Sequence, residues 1–196
     1  MTTLPYANAE EQRLAAEVGT WVFLATELMF FGPLLLGYAY GRSHHAQAFA
    51  EASRQTHVWL GTLNTALLLT SSLTMALAVR AAHADARRAL PRLLSATAAL
   101  GAAFLAVKGV EYRLEWRAGH LPDAGLFQFL YWVMTGAHSL HLAVAIALVV
   151  WLAAGVRRQS GDGNARRVEM TALYWHFVDI VWVFLFPIIY LVERHR

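Results

Sequence analysis

The sequence predicts an all-α integral membrane protein, a five-transmembrane-helix bundle, on three observations. Five apolar runs each reach the roughly 20 residues that a helix needs to cross a hydrocarbon core. Of 196 residues, 58% are hydrophobic and only 15% charged, with a mean hydropathy of +0.42. A soluble domain carries nearer a quarter charged residues. Tryptophans also mark the run ends: Trp21, Trp59, Trp116, Trp132, Trp151 and Trp175 fall where amphipathic rings favour the headgroup region. Only Trp182 lies deep inside a run, where it is expected to pack on a neighbouring helix.

Residues 1–17 are polar and net acidic, and read as a cytoplasmic N-terminal segment. They do not resemble a cleavable signal, so the first run is expected to stay in the membrane. From residue 18 to 196 the chain reads as one transmembrane domain. Its first span, Val18–Tyr40, carries Glu27 about eight residues in, or roughly 12 Å deep. An isolated charge there costs roughly 2.5–3.5 kcal/mol, so the side chain must face other helices. Either a neutral acid bonded to a neighbour or a proton-handling group fits that position. Pro33 is expected to kink this helix and free a carbonyl.

The second span, Val58–Val79, carries no charged residue, and the segment before it (GRSHHAQAFAEASRQTH) reads as a polar loop. Pro91 signals the start of the third helix, Leu93–Tyr112. Lys108 and Glu111, three apart there, share a face and can pair. The plain reading is an ion pair near the outer interface, with the ammonium snorkelling toward water.

In the fourth span, Leu126–Ala154, His138 and His141 are also three apart. Such a pair can ligate a metal, but a catalytic site needs a third protein ligand. Hydrogen bonding across a helix seam is the simpler reading, and Gly136 and Ala137 allow close approach. In the fifth span, Met170–Val192, His176 and Asp179 lie on one face, as an inter-helix tether, a proton relay or support for a metal site. The connection before it, Gly161-Asp162-Gly163-Asn164, is the clearest flexible stretch.

The chain has no cysteine, which excludes disulfides, thiolate metal sites and cysteine nucleophiles. No Gly-rich phosphate loop or complete metal motif is present, so the isolated chain points to no catalytic, cofactor or metal site of its own. The basic pI of 9.5 comes from arginines in short loops, which implies topology control and anionic lipid contact, not nucleic acid. Nine arginines fall on the side of the N-terminus and the second and fourth connections, against six on the other. The positive-inside rule then puts the N-terminus in the cytoplasm and the C-terminus outside.

Taken together, TELMFF, LNTALLLTSSLTMALA, EYRLEW, TGAHSLHLAVA and YWHFVDIVWVFLF resemble, in order, the motifs of subunit III of the haem–copper respiratory oxidases (cytochrome c or quinol oxidases). The resemblance spans Val18 to Val192 and fits the five-helix versions. It implies an accessory, non-catalytic subunit of a bacterial inner-membrane complex that reduces oxygen to water. Haem and copper would sit in the partner, subunit I. This chain would bind none, pack against subunit I, hold structural phospholipids and support proton uptake. Glu27, Glu111, His138, His141, His176 and Asp179 would form the family's polar core, with Glu27 touching a histidine of the TGxHxxH helix.

Two features depart from the oxidase pattern: Lys108, where many members have glutamine, and the ending FPIIYL with Pro187. Both resemble the branch associated with bacterial nitric oxide reductase (NorE-like). A stand-alone proton-coupled transporter and a His-rich metalloenzyme are the competing readings from other classes.

Overall fold

In the computed structural model, residues 9–86, 88–158 and 163–191 are described. Among them five helices are long and apolar enough to cross a membrane. They are α1 (Ala9–His44), α3 (Val58–His83), α4 (Ala89–Arg117), α5 (Leu126–Arg158) and α6 (Gly163–Phe186), with a short α2 (Ala46–Gln55) between the first two. Each long helix overruns the apolar stretch seen in the sequence. In a helix, charged or polar ends stay bonded to the backbone ladder and simply project beyond the hydrocarbon. Helix α1 continues through Pro33 without interruption.

Helices α3 to α6 form a four-helix bundle in which α3 and α5 each pack between α4 and α6. Short connections make consecutive members antiparallel. Helix α1 lies outside this bundle, against α5 and α6. Only 11% of its most apolar window is buried, against 50% in α6. Its outward side chains, among them Trp21, Met29 and Leu36, are exposed to what would be lipid.

The segment read as a loop before α3 contains helix α2, which packs on α1, α5 and the end of α6. Phe49 and Ser53, four apart, form its buried stripe. Helix α6 ends not as an α-helix but as a π-turn, Pro187–Leu191. Proline cannot donate to the ladder, and the widened turn releases carbonyls that other elements collect. Tyr38 of α1 donates to the Ile188 carbonyl at 2.9 Å, and Ser53 of α2 donates to that of Ile189 at 2.7 Å. Val192, the predicted limit of this span, lies outside the described residues.

Gly101 is where α4 lets α5 and α6 approach: a Cβ there would stand 2.8 Å from Trp175 Cη2 and 3.0 Å from Ile146 Cγ1. Trp175 itself is fully buried, not interfacial as its place in the sequence predicted, because α6 begins seven residues before the apolar run does. Its indole N–H donates to Ser71 Oγ at 3.2 Å. Gly101→Val is expected to cost about 1–3 kcal/mol by overpacking, read as a lower midpoint in thermal unfolding of the detergent-solubilised chain.

Candidate functional site: two polar layers within the bundle

Two polar layers hold the ionisable contacts between Glu27 and His141 and between Lys108 and Glu111. One lies midway along the spans, where Glu27 of α1 meets α5. His141 Nε2 stands 2.7 Å from Glu27 Oε2, with both side chains largely buried. The contact is short but off the ideal hydrogen-bond direction. His141 Nδ1 lies 2.7 Å from the Ala137 carbonyl, which can only accept, so that nitrogen carries hydrogen. Nε2 is the ring atom that faces the carboxylate of α1. Phe30 and Phe31 close over His141, with ring centroids 5.7 and 5.1 Å away.

His138, one turn before His141, points elsewhere. It is buried inside the bundle between Phe104, at 5.5 Å, and Trp182, at 5.1 Å, and neither ring nitrogen has a partner among the described residues. The two histidines therefore do not converge, because a separation of three leaves them about 60° apart around the axis. Among the described residues, no three His, Cys, Asp or Glu side chains gather as a metal set would.

His176 and Asp179 do not pair with each other, but both turn toward α3. His176 Nδ1 lies 2.8 Å from Ser72 Oγ, joining α6 to α3. Asp179 is buried one turn on, and neither of its oxygens has a hydrogen-bond partner among the described residues. Both side chains thus turn toward Ser72 of α3, and the histidine makes the hydrogen bond.

The second layer lies toward the α2 end. Lys108 is 1% exposed, so it does not snorkel as the sequence suggested. Its ammonium donates to Glu111 Oε2 at 3.1 Å, Tyr190 OH at 2.8 Å and Tyr131 OH at 3.2 Å. Tyr131 OH donates to Glu111 Oε1 at 2.9 Å, and Tyr190 OH donates to the same oxygen. Aromatic faces surround the cation, with the Tyr131 centroid 4.8 Å and the Trp182 centroid 5.4 Å from Nζ. All the polar atoms of the pair are spoken for, which is what a buried ion pair requires. Tyr131 and Tyr190 were missed in the sequence, where tyrosines in apolar runs read as ordinary core.

Beside the midplane layer, α1, α5 and α6 leave an apolar groove of about 400 Å3, lined by Thr20, Phe23, Val144, Leu148, Met170 and Tyr174 among others. Phe23 and Tyr174, 5.5 Å apart, separate it from Glu27 and His141, one turn further along α1 and α5.

This architecture defines a multi-pass membrane protein in which Glu27, Lys108, His141 and His176 make contacts between its own helices. The chain belongs to the cytochrome c oxidase subunit III family, whose profile matches residues 9–193. It is 32% identical to a cytochrome c oxidase subunit 3 of Thermostichus vulcanus, over 98% of this chain and 95% of the relative. A cytochrome c oxidase subunit 3 of Corynebacterium diphtheriae is 33% identical over 94% of this chain and 95% of its own. A cytochrome bo(3) ubiquinol oxidase subunit 3 of Pseudomonas aeruginosa is 30% identical over 88% of this chain and 83% of its own.

Proposed function

We propose that this chain is the accessory subunit III of a bacterial haem–copper terminal oxidase. In that complex it packs against the haem- and copper-bearing subunit I, holds phospholipid, and supports proton uptake during turnover. It sits in the inner membrane with its N-terminus in the cytoplasm. Relatives from both cytochrome c and quinol oxidases support the oxidase assignment and leave either donor compatible.

The observation that carries the helper role is the Glu27–His141 contact beside the 400 Å3 apolar groove. That groove has the volume of a lipid-tail site and an apolar lining. The contact fixes α1, the least buried span, at its middle, and so holds one wall of the groove in place. Tethering, not chemistry, is what a two-residue contact between α1 and α5 provides.

Purified oxidase complex carrying Glu27→Ala tests this. The haem spectrum is expected to be unchanged, while bound phospholipid per complex falls and activity decays faster during turnover. Unchanged lipid content and turnover stability would refute the helper role.

One observation favours a second reading. The two sequence departures from the oxidase pattern meet in space, since Lys108 donates to Tyr190 OH in the FPIIYL ending. They form one contact, as a branch-specific feature would. The alternative is a NorE-like subunit beside a nitric oxide reductase in denitrification. The haem content of the co-purified partner separates the two.

A further inference from the structure

Between the Lys108 network and the α2 end lies a third group of polar side chains that the helper role does not use. Glu115, one turn beyond Glu111 on α4, is buried. Its Oε2 lies 2.7 Å from His120 Nδ1, while Oε1 has no hydrogen-bond partner among the described residues. His120 folds back onto α4 because Gly119 adopts a positive φ of 78°, open to glycine at little cost. The His120 backbone N–H donates to the Glu115 carbonyl at 3.0 Å, and Trp132 Nε1 donates to the His120 carbonyl at 2.9 Å. The ring is held in place yet 28% exposed, so one edge meets the outside.

Glu115, His120, Thr56, Gln128 and Tyr131 line a partly enclosed cavity of about 10 Å3. That is the volume of one water, which also needs two to four polar partners. A vestibule of about 450 Å3, between α2 and the start of α5, shares Ala52, Phe127 and Gln128 with the cavity. On the inner side, Tyr131 forms part of the wall and donates to Glu111.

We propose that this cavity is an internal water site, and that its water completes a proton path from the exposed edge of His120, beside the α2-side vestibule, to the buried Lys108–Glu111–Tyr190 network. A buried carboxylate oxygen calls for a donor, and a water supplies one within this volume. A hard divalent cation would take six or more oxygen ligands, and the lining is too small and too mixed for that. Transfer runs as a chain of exchanged N–H and O–H bonds. His120 gains a proton from outside at Nε2 and gives its Nδ1 proton to Glu115 Oε2. The carboxyl, now protonated, turns to present its O–H where Oε1 stood, and the water takes that proton as it gives one of its own to the Tyr131 oxygen. Tyr131 gives its phenolic proton to Glu111 Oε1. At each step one N–H or O–H bond breaks as another forms, and no electron moves.

The test needs neither a partner nor turnover, so its outcome is independent of the oxidase assignment. Full-length chain in lipid nanodiscs is moved from H2O to D2O, and exchange is followed in the tyrosine C–O–H infrared bands, assigned with Tyr131→Phe and Tyr190→Phe. Both hydroxyls are expected to exchange within the mixing time in the wild type. Glu115→Leu and Gln128→Leu are each expected to slow exchange by about tenfold or more, because it must then wait on local opening. Gln128 is half-buried at the first turn of α5, so its variant keeps the test intact if Glu115→Leu does not fold. Fast exchange in the folded variants overturns the path. Wild-type exchange that differs between sodium and choline buffers overturns the water assignment in favour of a cation.

Discussion

Lys108→Met is expected to destabilise the bundle by about 3–5 kcal/mol, the cost of stripping one partner from a buried ion pair. Methionine fills the volume of the lysine stem, so packing changes little and the loss is electrostatic. Glu111 would keep only the donations of Tyr131 and Tyr190, with no cation inside the ring of aromatic faces. Those two phenol bonds place the result at the lower end of that range. Removing both partners behaves differently: Lys108→Met with Glu111→Leu is expected to regain much of the loss, because no buried charge remains to be desolvated. Unfolding midpoints of the three proteins in one detergent measure both effects. Added salt should not shift the wild-type value appreciably, since a fully buried pair is poorly screened. A single variant as stable as wild type would show that the pair contributes specificity rather than stability.

The same pair shows how far the sequence reaches. Apolar run length was enough for the five spans, since in hydrocarbon a backbone has few alternatives to a helix. Spacing by three placed Lys108 beside Glu111, because neighbours on one helix are fixed by its geometry. Partners on other helices were not legible. Tyr131 and Tyr190 lie 23 and 82 positions from Lys108, and only the assembled bundle brings them to one ammonium. Spacing even misled where it suggested common targets: His138 and His141 turn to different neighbours, and Asp179 does not meet His176. Helix α2 escaped notice for another reason, since its apolar stripe is only Phe49 and Ser53 within a polar segment. The Glu27 contact with the TGxHxxH helix was anticipated from the family resemblance, and the geometry identifies its partner as His141.

Trp182→Ala is expected to cost about 3–5 kcal/mol, the range for deleting a large buried aromatic side chain. Trp182 is the hinge of both polar layers. Its ring meets Phe104 edge-on at 4.8 Å and His138 at 5.1 Å, and its N–H donates to Thr65 Oγ1 at 3.1 Å. It also stands over the Lys108 ammonium. In a bilayer the hydrophobic effect does not hold helices together, so the loss falls on packing, on the hydrogen bond and on the cation's aromatic face. Water entering the new cavity would hydrate His138 and Lys108 and offset part of the cost. Trp182→Phe separates the contributions. It keeps most of the ring contact and removes the N–H, so it should cost only about 0.5–1.5 kcal/mol. If the two variants unfold at the same midpoint, the hydrogen bond to Thr65 is what matters, and the aromatic packing around the lysine contributes little. A wide gap between them places the stabilisation in the ring, which is where the contacts of α4, α5 and α6 converge.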